Sequence, residues 1–143
     1  MPVRPTLAAL SLVCLATPSP AADLAVTIEG LRTTKGLVSI CVFARSADFP
    51  DCGAAPPAMR LNVRADSVSE PVVFEGLDEG VLAIAVLHDE NGNGRLDTNF
   101  LGIPNEGVGI STNRLPRFSA PAFEDAAFRF DGGSGQSVKL VYW

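Results

Sequence analysis

The run Val81-Leu82-Ala83-Ile84-Ala85-Val86-Leu87-His88 decides how this chain is read. Every position before His88 is apolar, so an extended segment here would wet neither of its faces. It is bounded by Glu79-Gly80 on one side and Asp89 on the other, and is too short for an ordinary core helix. A short, two-sided apolar run between turn signals is the pattern of a central strand buried from both sides.

Outward from that run, the neighbouring segments alternate. Leu24, Val26 and Ile28 fall on one face, with Ala25, Thr27 and Glu29 opposite. Leu37 to Phe43 is rich in β-branched residues; Arg60 to Arg64 and Val72 to Phe74 are shorter candidates. Ala126 to Phe130 and Val138 to Trp143 complete the set. Turns are expected at Gly30, at Lys35-Gly36, from Glu75-Gly76 through Glu79-Gly80, and at Gly132-Gly133-Ser134-Gly135. No segment of helical period follows residue 22. About seven short strands without crossover helices specify an all-β fold, an antiparallel β-sandwich occupying 22–143 as a single domain.

The chain has 143 residues, 47% of them hydrophobic and 19% charged, which suits a packed core rather than disorder. Its net charge of −5 excludes a phosphate-tracking basic footprint, hence nucleic acid, and disfavours anionic lipid surfaces. Residues 1–21 carry a different signal: Arg4, an apolar run from Leu7 to Ala16, then Thr17-Pro18-Ser19-Pro20-Ala21-Ala22. The run is too short to span a bilayer and ends in small residues, the signature of a secretory signal peptide cleaved after Ala21. Leu12-Val13 before Cys14 matches a lipoprotein signal poorly. The mature protein is therefore expected to be exported, periplasmic or secreted, with no membrane span. Cys41 and Cys52 then remain as an even pair, and an oxidising compartment favours a disulfide between them.

One stretch breaks the strand pattern. From Asp89 to about Glu124 lies a long connection with little periodicity, and connections of that length in compact domains are usually functional. It opens Asp89-Glu90-Asn91-Gly92-Asn93-Gly94-Arg95-Leu96-Asp97. Oxygen side chains at alternate positions, a glycine for the sharp turn and a further carboxylate are what a hard cation requires, since calcium takes six to eight oxygens. In that reading Asp89, Asn91 and Asn93 supply side-chain oxygens, Arg95 its carbonyl, and Asp97 a direct or water-mediated bond. Leu96 would turn inward to pin the loop. The position of an EF-hand's bidentate glutamate holds Phe100, leaving Glu106 to complete the shell. The alternative is an Asx-rich turn that self-caps without any ion. Zinc is disfavoured by a single histidine, His88, with no thiolate cluster.

Downstream lie Gly102-Ile103-Pro104-Asn105-Glu106-Gly107-Val108-Gly109-Ile110-Ser111-Thr112-Asn113 and Pro121-Ala122-Phe123-Glu124-Asp125-Ala126. With the strand ending at His88 and the acidic loop, they resemble the exported bacterial proteins of domain-of-unknown-function family twenty-one forty-one. The resemblance covers nearly the whole mature chain and implies a transthyretin-like or immunoglobulin-like sandwich; it implies no activity. The glycines at 102, 107 and 109 permit unusual backbone angles or close approach.

Three function classes follow. A binding or interaction module of the cell envelope, working with an unidentified envelope or extracellular partner, leads. Its calcium would order the loop, and His88, Glu106, Ser111 and Asn113 are candidates to face a ligand. A hydrolase using the carboxylates Glu106, Glu124 and Asp125 is an alternative, as is a carrier of a small apolar ligand. A triad of His88, Ser111 and Asp89 or Glu106 is disfavoured, because adjacent strand residues point to opposite faces. Transthyretin-like folds include a hydrolase of a purine breakdown product, but its histidine-rich pattern and serine-containing tail are absent from a chain ending Leu140-Val141-Tyr142-Trp143. No catalytic residue is assigned.

Overall fold

The computed structural model describes residues 1, 17, 21–47, 49–53 and 59–143; the signal peptide read at 1–21 lies almost wholly outside them. Among the described residues there are eight strands: β1 (Ala22–Glu29), β2 (Leu37–Phe43), β3 (Met59–Arg64), β4 (Val72–Leu77), β5 (Gly80–Asp89), β6 (Gly107–Ile110), β7 (Phe128–Phe130) and β8 (Gln136–Lys139). One helical turn, α1 (Phe123–Ala126), precedes β7. The strands form two sheets, β4-β1-β8 and β3-β2-β5-β6, with β7 pairing the start of β5. All pairs are antiparallel except β1 with β8. The chain is an all-β sandwich.

The alternation explains the packing. Leu24, Val26 and Ile28 of β1, Phe74 of β4 and Val138 of β8 face Val38, Ile40 and Val42 of β2 and Ile84 and Val86 of β5 in one continuous core. β5 lies between β2 and β6, and its other face is covered too, at one end. There Phe43, Phe49 and Phe123 stack edge to face at 5.2 and 5.9 Å over Cys41, Ala83 and Ala85. The Cys41–Cys52 disulfide holds the segment carrying Phe49 against this face.

Several sequence expectations are corrected. The connection after Asp89 is not without structure: it contains β6 and α1. Gly107 and Gly109, read as loop glycines, are strand residues needed for close approach. A Cβ on Gly107 would lie 2.5 Å from Tyr142 Cζ, and one on Gly109 2.7 Å from Val138 Cγ1 and 3.0 Å from the Lys139 carbonyl oxygen. Glu75-Gly76, read as a turn, lies within β4 as a bulge. The register slips opposite Asp23, Gly76 takes φ +70°, and its N–H donates to Asp23 Oδ1 at 3.1 Å. The strand expected over Ala126 to Phe130 starts at Phe128, because Phe123–Ala126 coil into α1. The last strand ends at Lys139, after which Val141 makes an isolated bridge to Val108.

Candidate functional site

The acidic loop folds around Asp89, the last residue of β5. Its buried carboxylate accepts three backbone N–H groups, from Gly92 (2.8 Å) and Asn93 (3.1 Å) at Oδ1 and from Gly94 (2.7 Å) at Oδ2. Positive φ at Gly92 and Gly94, +72° and +81°, turns those N–H groups inward. Two Asx turns continue the chain: Asn91 Oδ1 accepts from Asn93 N and Asn93 Oδ1 from Arg95 N, each at 3.0 Å. Both asparagine amides then donate to Asp97 Oδ2, at 2.6 and 2.7 Å. These donors, with the Arg95 charge, hold the Asp97 carboxyl below its usual range.

Glu106 closes the loop from beneath. It is 4% exposed and its carboxylate accepts the N–H groups of Glu90 and Asp97, each at 3.1 Å. Burial pushes its pKa up, reinforced by the nearby charges of Asp89 and Asp97. Glu90, Asn91, Asp97, Thr98, Asn105 and Glu106 line a shallow depression of about 500 Å³ here, and each carries a side-chain oxygen. Leu96 does not turn inward; it is 42% exposed, since Glu106 rather than an apolar plug anchors the loop.

Arg32 ties this end together. It pairs bidentately with Glu90 at 3.1 and 2.5 Å, donates to the Asn105 carbonyl at 2.9 Å and lies 4.5 Å over the Tyr142 ring. The ion pair holds the Glu90 carboxyl below its ordinary value. His88 is fully buried between Tyr142 Oη (2.7 Å) and the Lys35 carbonyl (2.8 Å). A carbonyl only accepts, so Nε2 carries the proton and Nδ1 accepts from the tyrosine hydroxyl.

The other sequence candidates are engaged within the fold. Ser111 is buried; its hydroxyl donates to the Ala126 carbonyl and accepts from Ile84 N at 3.1 Å. Asn113, at φ 58°, accepts from Lys139 N at 2.7 Å and donates to the Ser137 carbonyl at 3.0 Å. Asp125 caps α1 by accepting from Ala122 N at 2.8 Å, and Glu124 is exposed. His88 pairs with Gly107, and Ser111 lies four residues further along, roughly 13 Å at strand rise. Glu106 and the α1 carboxylates stand at opposite ends of β6. The structure brings together neither the triad of His88 and Ser111 nor Glu106 with Glu124 or Asp125.

What sequence reasoning missed is a groove. The segments on either side of β6, from Asp89 to Pro104 and from Asn113 to Pro121, arch over the outer face of the β3-β2-β5-β6 sheet and border a groove of about 1590 Å³. The register sets its floor. Asn62, Ser39, Leu87 and Val108 form one cross-strand row; in the next, Arg60, Ala85 and Ile110 reach the groove while Cys41 lies buried beneath its disulfide. Leu101, Ile103, Leu115, Phe118 and Trp143 stand in its walls. Among the described residues eleven large apolar side chains are exposed, and seven of them line this groove, so they form a patch rather than the scatter of an ordinary surface. Its only sequence signal was the unusual length of the connection.

Among the described residues, no three His, Cys, Asp or Glu side chains are arranged to hold a metal ion, and no helix is long and apolar enough to cross a membrane. A family model described as an uncharacterized protein conserved in bacteria (DUF2141) matches residues 26–138. No curated protein and no solved structure matches the chain.

Proposed function

The chain belongs to the DUF2141 family of bacterial proteins, and we propose that it serves there as a non-catalytic, exported binding module whose ligand lies in the groove. The observation carrying this reading is the concave apolar surface between the arch and the sheet, in a molecule where His88, Asp89, Glu106 and Ser111 are buried and hydrogen-bonded within the fold. Binding sites are concave and mostly apolar with a few polar groups, and this groove has that make-up. The test is titration with the neutral apolar fluorophore N-phenyl-1-naphthylamine. Saturable binding that Leu87→Glu abolishes supports the reading; absent binding, or equal binding by the variant, refutes it.

Calcium is the second element of the proposal. Asp89, Asn91, Asn93, the Arg95 carbonyl, Asp97 and Glu106 would hold it, and the oxygen-lined depression beside Glu106, whose carboxylate lies in the field of Asp89 and Asp97, supports a cation there. The asparagines now aim Nδ2 at Asp97. A half-turn of both amides would exchange those donors for oxygens, giving up the two Asx bonds to Asn93 N and Arg95 N. Calcium would thus select a second state of the same turn and stiffen the arch that begins there. Calorimetry with calcium, and melting with calcium or chelator, test it against Asp89→Ala and Asp97→Ala. Heat and a melting rise that both variants lose support a cation site; their absence in the parent protein leaves a self-capped Asx turn.

A further inference from the structure

We propose that the groove's ligand is an amphiphile with an anionic head, specifically a free long-chain carboxylate. The inference rests on the groove being the binding surface and adds the chemistry of its occupant.

The floor is graded. Toward β5 and β6 it presents Ala85, Leu87, Val108 and Ile110; toward the β3 edge it presents Ser39, Asn62 and Arg60. An occupant must therefore be apolar along most of its length and polar at one end. The charge specifies the polar end. Arg60 on β3, Arg95 in the acidic turn and Arg117 in the arch all line the groove and are all exposed. Neither of the two ion pairs among the described residues, Arg32–Glu90 and Arg64–Asp66, involves them, although the charge of Arg95 is felt by Asp97; Arg60 and Arg117 bear most directly on the polar end. Of Arg60's five N–H donors, one reaches the Cys52 carbonyl at 3.3 Å. The acidic side chains in the lining are Asp51, whose Oδ1 accepts from Gly53 N, and the buried Asp89, already held by three N–H groups. A protein of net charge −5 thus gathers cationic groups around this apolar groove. Guanidinium forks match carboxylates in geometry and charge. Drug-sized ligands occupy roughly 300–1,000 Å³, and the greater volume here suits an extended acyl chain.

The experiment is displacement of N-phenyl-1-naphthylamine from the protein, together with emission of Trp143, the single tryptophan, which stands in the groove wall. The competitors are octanoate, decanoate, dodecanoate and the neutral dodecanol, all below micelle formation. Dodecanoate is expected to bind at least about tenfold more tightly than dodecanol, the range of a charge-assisted hydrogen bond. Affinity should rise up to about fourfold per added methylene. In Arg60→Gln the carboxylate preference should fall below about threefold while naphthylamine affinity is unchanged; Arg129→Gln, on β7, should leave the preference intact. Naphthylamine binding with equal affinity for acid and alcohol overturns the anionic-head inference and leaves the groove reading standing. Failure of naphthylamine to bind removes both, as does a groove found closed by a second copy in sedimentation.

Discussion

Gly107→Ala probes the contact that holds the end of the chain. The added methyl group would lie 2.5 Å from Tyr142 Cζ and 2.7 Å from Oη, where carbon atoms settle at about 3.5–4.0 Å, so the ring must retreat by roughly 1 Å. It cannot retreat freely, because Arg32 stacks on it at 4.5 Å and its hydroxyl is bound to buried His88 at 2.7 Å. Overpacking of this kind costs about 1–3 kcal/mol, and orphaning the histidine nitrogen a further ~1–3 kcal/mol. A domain of this size loses roughly 4 °C of Tm per kcal/mol, so a fall of about 8–24 °C is expected in a thermal melt. The double-mutant cycle isolates the cause: in a Tyr142→Ala background, Gly107→Ala should be neutral or slightly stabilising. Displacement of Tyr142 should also move Trp143 and weaken naphthylamine binding. A fall below about 3 °C, or an equal fall in the Tyr142→Ala background, would refute the reasoning.

Reduction of the Cys41–Cys52 bridge, which closes an 11-residue separation, should lower stability by about 2–3 kcal/mol, read as a drop in urea midpoint with reductant. Asp89→Ala releases three N–H groups at the end of β5 and should cost about 2–4 kcal/mol in chelator; a melt unchanged from the parent would count against the turn being built on Asp89. The pH dependence has a definite sign. Glu106 has a folded pKa raised above the ordinary glutamate value, so its contribution is fully present below that value and is lost as pH rises through the folded one. Glu90, held low by Arg32, contributes oppositely, losing its stabilisation as pH falls. In chelator, the Tm advantage of the parent over Glu106→Gln should therefore shrink as pH rises above the ordinary glutamate value, and a constant difference would contradict the assignment.

The parts of the fold legible in sequence were those in which each strand carries its own pattern. β5 announces itself because both its faces are covered, by the core and by the Phe43–Phe49–Phe123 stack. β1 and β2 do so through period-two alternation. β6 could not, since two of its four residues are glycine and the atoms that fill their places come from Tyr142 and Val138, far along the chain. The acidic loop was legible as an oxygen-rich turn, but the partner of each oxygen was not: spacing cannot say whether an asparagine offers its oxygen or its amide to Asp97. The groove was hidden for a related reason. Its floor is a product of register across β3, β2, β5 and β6, and no one strand contains more than a few of its residues.

The central claim is that the outer face of the β3-β2-β5-β6 sheet, under the 89–121 arch, is where this protein binds its ligand. Amide chemical shifts of the labelled protein, followed through a titration with N-phenyl-1-naphthylamine, test it residue by residue. The account predicts saturating shifts at Leu87, Val108, Leu101, Phe118 and Trp143, with the β4-β1-β8 sheet unmoved. Shifts concentrated around exposed Val73 of β4 instead, or none that saturate, would contradict it.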